Sequence, residues 1–442
     1  MSRSRPGLSP RRPSASVRRR ARGGCRLIPT ARPAYSSAAV RPSPHAYLDS
    51  LQPLAMRFGL ERMERALDAL GHPERAYPIL HVGGTNGKGS TCAMAAAALQ
   101  AAGHRVGLYT SPHLVRFEER IQVDGAEISG DELAARVEEV RAACPWHDAG
   151  PEGERLTYFE FATLAALLHL ARMRVGVAVV EVGLGGRFDA TNAVLPRVAA
   201  IARIGLDHTQ LLGDTVEKVA FEKAGIFKRG VPAVVHGDEP PGALTVLRAE
   251  AARRGAPFHV APATWDGPVA LRGPHQRANA ALAAEALRLL DASGVRAGPE
   301  AVARGIAGAR WPGRLEEVGG VLLDGAHNPQ GAAALADALP ILHPGRAVEL
   351  VFGVLADKDH RGMLASLAPA VRGLHLVAPA SPRARPTASV RALAVELGFR
   401  ADAHASLAEA IACARRAAGE GGVVCVAGSL YLVGEARSLL TI

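Results

Sequence analysis

Short runs of Val, Ile, Leu and Ala recur along this chain, and each is followed by a stretch with helical spacing. The runs are apolar at nearly every position instead of every second one. Strands of that kind are covered on both faces, and their alternation with helices makes the sheet parallel. The pattern predicts strands at 78–82, 105–110, 177–182, 198–204 and 231–235, with helices at 131–144, 159–172, 214–225, 242–254 and 275–290. After a short helix and linker across 291–313, a second block repeats the alternation, with strands at 321–324, 348–353, 374–378 and 423–427. The expected fold class is α/β, with a large domain over 46–309 and a smaller α/β domain over 310–442.

The turn after the first strand narrows this further. Residues 81–90 read HVGGTNGKGS. Glycines that let backbone N–H groups approach phosphate oxygens, a lysine and a hydroxyl that can ligate Mg²⁺ precede a helix N-terminus, the order that cradles a nucleotide phosphate chain. The usual spelling is G-x-x-x-x-G-K-[ST]. Here Gly83 to Gly87 is one residue shorter, and Gly89 separates Lys88 from Ser90.

Charge excludes less than it first seems to. The formal net charge is +10, but residues 1–45 hold eleven arginines and no Asp, Glu or Lys. The remainder has 52 − 11 = 41 basic and 42 acidic residues, a net of −1. The basicity belongs to an N-terminal segment, which is expected to be a disordered arm or a misassigned start outside the fold. No nucleic-acid partner is expected. No apolar run is long enough to span a membrane, and the five cysteines show neither disulfide-framework nor zinc spacing. A cytoplasmic, reducing compartment is the expectation.

Further polar clusters sit where strands end, which is where open α/β sheets bind ligands. Glu181 closes the run Val177-Ala-Val-Val and suits Mg²⁺. Ile204-Gly-Leu-Asp-His208 follows another strand; His208 is read as a ligand, a base or a surface histidine. Thr110-Ser-Pro-His-Leu-Val-Arg is a lid or substrate loop carrying Ser111. Asp324 and His327 end a strand of the second block. Lys223, beside Glu222 on a helix, carries no distinguishing physical signal of its own.

Taken together, GTNGKGS, TSPHLVRFEERI, LTYFEFATLAAL, VEVGLGGRFDATN, GLDH with LGDT, FEKAGIFK, HQRANA, WPGRLE, DGAHNP and GVLADKD resemble the folylpolyglutamate synthase/dihydrofolate synthase family of the Mur ligase superfamily. The resemblance runs from about residue 46 to the C-terminus. It implies a P-loop ATPase domain with a mostly parallel sheet and a smaller C-terminal ligase domain. It implies that Asn86, Gly87, Lys88, Gly89, Ser90, Asn279, Arg314 and Asp324 bind ATP. Ser90, Ser111, Glu181 and His208 would hold Mg²⁺, two ions in all. Lys223 would be carbamylated to N6-carboxylysine, and Lys88, Lys223 and His327 would be catalytic, with Ser429 near the inter-domain cleft. Pteroate or folate would be held by Gly59, Leu60, Glu61 and Arg62, by Thr157, Tyr158, Phe159 and Glu160, and by Phe188, Asp189 and Ala190. The implied activity is ATP-dependent addition of L-glutamate to dihydropteroate and reduced folates by a monomer. Folylpolyglutamate synthesis alone, another Mur-type amino-acid ligase and a regulatory P-loop ATPase are the alternatives.

Overall fold

The computed structural model describes residues 43–52 and 57–441. The basic segment therefore lies outside the described residues as far as position 42. Its expected end at 45 is too late: Ser43 caps the helix Pro44–Ser50 by accepting from the Ala46 amide at 3.2 Å.

The first sheet has eight strands: β1 (Ile79–Gly83), β2 (Val106–Tyr109), β3 (Ile121–Val123), β4 (Ala126–Glu127), β5 (Val177–Glu181), β6 (Val198–Ile201), β7 (Ala233–Val235) and β8 (Phe258–Val260). Their order is β4-β3-β2-β5-β1-β6-β7-β8. The six strands from β2 to β8 in that order are parallel, and β3 and β4 add antiparallel at one edge. The period of two sends Ile79, Ala178 and Val180 into one core and Leu80, Val82, Val177 and Val179 into the other. That two-sided burial is the reason the strands read as continuous apolar runs.

The second sheet has six: β9 (Glu316–Val318), β10 (Val321–Leu323), β11 (Val348–Phe352), β12 (Gly373–Leu376), β13 (Arg400–Ala403) and β14 (Val423–Ala427), in the order β13-β12-β11-β14-β10-β9. Only β9 runs antiparallel.

The strands absent from the sequence reading are short or lie at or next to a sheet edge. β9 contains two glutamates and β13 reads Arg-Ala-Asp-Ala, so neither carries a continuous apolar run. Two expected strands are shorter than their apolar runs. β6 stops at Ile201 because Arg203 turns its carbonyl to the Thr85 and Asn86 amides at 3.0 and 3.2 Å. β7 starts at Ala233 because Pro232 has no N–H for the ladder. The short helix expected within 291–313 is Pro299–Gly308, whose Gly305 packs directly on the Ala98 backbone of the helix Lys88–Ala101.

Candidate active site

β1, β5, β6 and β7 are parallel neighbours, so their C-terminal ends open on one edge of the sheet. A cleft of about 730 Å³ runs along that edge, and the second lobe forms its other wall. The P-loop leaves β1 there. Gly87 has φ +88°, and a Cβ on it would collide with the Asn279 amide, so only glycine fits the turn. Gly89 explains the odd spelling: a Cβ at that position would lie 2.7 Å from Trp311 Nε1. Lys88 donates to the Thr85 carbonyl at 3.3 Å.

Glu181 at the end of β5 is buried and lies beside Lys88. Burial raises its carboxyl pKa and the Lys88 charge opposes that. Its Oε2 accepts the Ser111 amide at 3.1 Å. Ser90, Ser111, Glu181 and His208 all line the cleft. His208 is held neutral: burial, then the nearby cations, bring its imidazole down to about 4 despite the opposing Asp207 carboxylate. Among the described residues no three His, Cys, Asp or Glu side chains form a metal cage. The four expected ligands offer one carboxylate, two hydroxyls and a neutral imidazole. That sparse, mainly oxygen set fits Mg²⁺, which keeps waters and binds through one or two carboxylates plus substrate phosphates.

Lys223 is buried at the end of the helix Val216–Lys223, and its Nζ donates to the Gly84 carbonyl at 2.7 Å. Burial, with Lys88 adding repulsion, brings its amine down to about 7. A large part of it is therefore neutral and nucleophilic near neutral pH.

The second lobe contributes Arg314, Asp324, His327 and Ser429 to the same cleft. Asp324 accepts the Leu315 and Ala326 amides at 3.0 and 2.9 Å, and His327 Nδ1 lies 2.7 Å from the Gly325 carbonyl oxygen. Asn279, on the helix His275–Ala292 of the first lobe, donates to Gln276 Oε1 at 3.0 Å.

The lobes are joined across the cleft by groups that sequence reasoning missed. Asp207 accepts from Lys358 Nζ at 2.6 Å and from Asn328 Nδ2 at 3.1 Å, with His327 Nε2 at 3.5 Å. Burial alone would raise the Asp207 carboxyl. The His327 contact and the Lys358 charge outweigh it and hold the group well below the carboxylate range. Asn86 donates to Gln330 Oε1 at 2.6 Å and accepts from Asn328 Nδ2 at 3.0 Å. Asn86 lines the cleft; its side chain bridges the lobes and its backbone N–H donates to the Arg203 carbonyl at 3.2 Å.

The residues expected to hold pteroate are not part of this cleft lining. Two of their carboxylates are occupied inside the fold. Glu160 pairs with Arg62 at 2.8 Å and accepts the Thr157 amide at 2.7 Å. Asp189 accepts the Leu184 and Thr191 amides at 2.8 and 3.0 Å. Gly59 sits at φ +114°, a turn that leads Leu60 and Glu61 into the helix Glu61–Ala69, and Ala190 is buried. Others adjoin the cleft or face solvent. The Phe159 ring packs against Gly183, a cleft residue, and Tyr158 lies edge-on to Phe117. Phe188 meets Phe58 edge-to-face at 5.7 Å, and both rings are exposed.

Residues 82–260 match the Mur ligase middle domain, and 313–430 match the Mur ligase glutamate ligase domain. A dihydrofolate synthase/folylpolyglutamate synthase of Bacillus subtilis is 36% identical over 416 residues, covering 86% of this chain and 95% of that protein. A protein of the same name from Mycobacterium tuberculosis is 37% identical, covering 77% of this chain and 78% of that one. The solved structure of E. coli FolC in complex with DHPP and ADP superposes with a TM-score of 0.82 at 33% identity, covering 92% of this chain and 99% of that one. A Yersinia pestis bifunctional folylpolyglutamate synthase/dihydrofolate synthase complexed with AMPPNP and an Mn ion gives a TM-score of 0.79 at 33% identity, with 92% and 100% covered. With a P-loop, a buried lysine and a second lobe closing on one cleft, and with relatives matched over most of their length, the chain belongs to the dihydrofolate synthase/folylpolyglutamate synthase family of Mur ligases.

Proposed function

We propose that this protein is an ATP-dependent ligase that adds L-glutamate to dihydropteroate and to reduced folates, releasing ADP and phosphate. The observation that carries the reading is the cleft: the P-loop, Glu181 and Lys223 of one lobe face Arg314, Asp324 and His327 of the other. A carboxylate cannot expel oxide, so its oxygen first attacks the γ-phosphorus of ATP. ADP leaves and an acyl phosphate remains. The glutamate amine then attacks the acyl carbon, loses a proton, and the C–O bond to phosphate breaks. Lys88 follows the phosphoryl group, while Asn279, Arg314 and Asp324 hold the nucleotide, and the P-loop amides orient the reacting phosphate in line. Ser90, Ser111, Glu181 and His208 would hold two Mg²⁺ ions, which neutralise phosphate charge when bound. The neutral Lys223 amine can add CO₂ to form a carbamate, whose carboxylate supplies one more oxygen beside the P-loop. His327 and Lys358 place positive or donor groups on the second-lobe wall, where an amino dicarboxylate needs them. Closure of the lobes excludes the water that would hydrolyse the acyl phosphate. The exposed Phe58 and Phe188 rings, edge-to-face at 5.7 Å, offer flat apolar surface to a pteridine.

ADP release by the purified protein tests this. Release is expected only with dihydropteroate or tetrahydrofolate and glutamate together; release that ignores glutamate would sink the reading. Running the two acceptors in parallel separates the bifunctional enzyme from a folylpolyglutamate synthase. We further assign a cytoplasmic monomer. No helix among the described residues is long and apolar enough to cross a membrane. Light scattering on the eluting protein checks the oligomeric state.

A further inference from the structure

The loop after β2 reaches out of its own lobe. Ser111 donates its amide to Glu181, and Ser111 and Pro112 line the cleft. Leu114 packs instead against the second lobe's core cluster, which includes Val321, Leu323, Leu432 and Val433. Its seat is shaped by missing side chains. A Cβ on Gly434 would overlap the Leu114 carbonyl oxygen, and one on Gly313 would lie 3.1 Å from both Leu114 Cδ1 and Val433 Cγ1. Gly434 lies one turn inside the helix Leu430–Leu440; its cap Ser429 and its first residues Leu430 and Tyr431 line the same cleft as Ser111.

The loop is also stiff. The Glu119 carboxylate accepts three consecutive amides, from Leu114 at 2.7 Å, Val115 at 3.0 Å and Arg116 at 2.9 Å. Arg120 Nε donates to His113 Nδ1 at 2.9 Å. The loop, expected to be a lid or substrate loop, is a strut fastened to Glu181 at one end and plugged into the other lobe at its tip.

We propose that Leu114 is a positioning residue whose insertion beside Gly434 sets the separation between the Ser111–Glu181 wall and the Ser429–Tyr431 wall, and with it the alignment of amine and acyl phosphate. The inference rests on the ligase reading for its kinetic arm only. The test uses Leu114→Ala, Gly434→Ala and the double variant in the full chain. Spin labels at Asp131→Cys and Asp402→Cys, with Cys25 and Cys413 changed to Ser, report the distance between lobes. Each single variant should broaden that distance distribution and lower kcat by about 10- to 100-fold, because an ångström of misplacement costs on that order. Binding of a non-hydrolysable ATP analogue, carried out largely by the P-loop, should change by less than about 3-fold in Leu114→Ala. Gly434→Ala blocks the Leu114 carbonyl and Leu114→Ala removes the side chain beside Gly313; once either unseats the tip the other has little left to disturb, so the double variant should lose less than the product of the two single losses. Unchanged kcat and distance, additive losses, or nucleotide binding lost in step with kcat would each overturn the proposal. If the parent protein releases ADP without folate or glutamate, the ligase reading fails, while the distance measurement still decides the plug.

Discussion

Replacing Asp207 by Asn removes one charge from the joint between the lobes and almost no volume. In the parent, Asp207 and Lys358 have side chains only 9% and 7% exposed and sit 2.6 Å apart. Taking away the carboxylate leaves a buried ammonium without its counter-ion, which costs about 3–5 kcal/mol when the site cannot relax. Here it can relax, because Lys358 belongs to the second lobe and opening the cleft returns it to water. The penalty should therefore appear as a shift from closed to open, roughly 10²- to 4 × 10³-fold in that equilibrium, more than as global unfolding. The assay is the inter-lobe distance distribution together with the glutamate KM and kcat. The double variant Asp207→Asn with Lys358→Met removes both charges and should recover most of the closed population without recovering full activity. An Asp207→Asn protein that is as closed and as active as the parent would refute the reasoning. Acidification should mimic the substitution. Asp207 is depressed below its ordinary 3.8, so its contribution is complete above about pH 4 and declines as pH falls further.

Other perturbations probe separate parts of the site. Burial raises the Glu239 carboxyl to about 8, with the Ile204 amide donating to it at 2.9 Å. A raised acid contributes stability below its unfolded value of 4.5 that is lost as pH rises through 8. Glu239→Gln should leave the melting temperature nearly unchanged at pH 5 and raise it at pH 8–9, by an amount corresponding to a few kcal/mol, on the order of 4; parallel melting curves at both pH values would contradict this. Lys223→Ala should lose most activity without recovery in bicarbonate, whereas parent enzyme depleted of CO₂ should recover on adding it. Full activity in that variant removes the carbamate. Gly89→Ala should weaken ATP-analogue binding by about 10-fold or more by titration, because its Cβ would meet Trp311, with overpacking costs of about 1–3 kcal/mol.

Much of the site was legible because it lies on strand ends. Lys88, Glu181 and Asp324 each follow an apolar run closely, so alternation and ligand-binding edge could be read together. Lys223 was different: nothing in its helix marks it, and its depressed amine arises from burial beside Gly84 and Lys88, 139 and 135 residues away in the chain by number. The bridge made by Asn86 is hidden for a related reason, since its amide partners, Asn328 and Gln330, come from the other lobe. The edge strands β9 and β13 escaped notice because half-exposed strands need no continuous apolar run.

The α/β class, the nucleotide turn and the strand ends where polar groups gather are written in local residue patterns, because two-sided burial and phosphate binding impose them. Tertiary structure alone decided which groups face one another across the cleft. Asp207 and Lys358 are 151 residues apart, and Leu114 reaches a glycine in the other lobe. Local pattern carries no record of such pairs, since their energy depends on burial and charge contributed by distant chain segments.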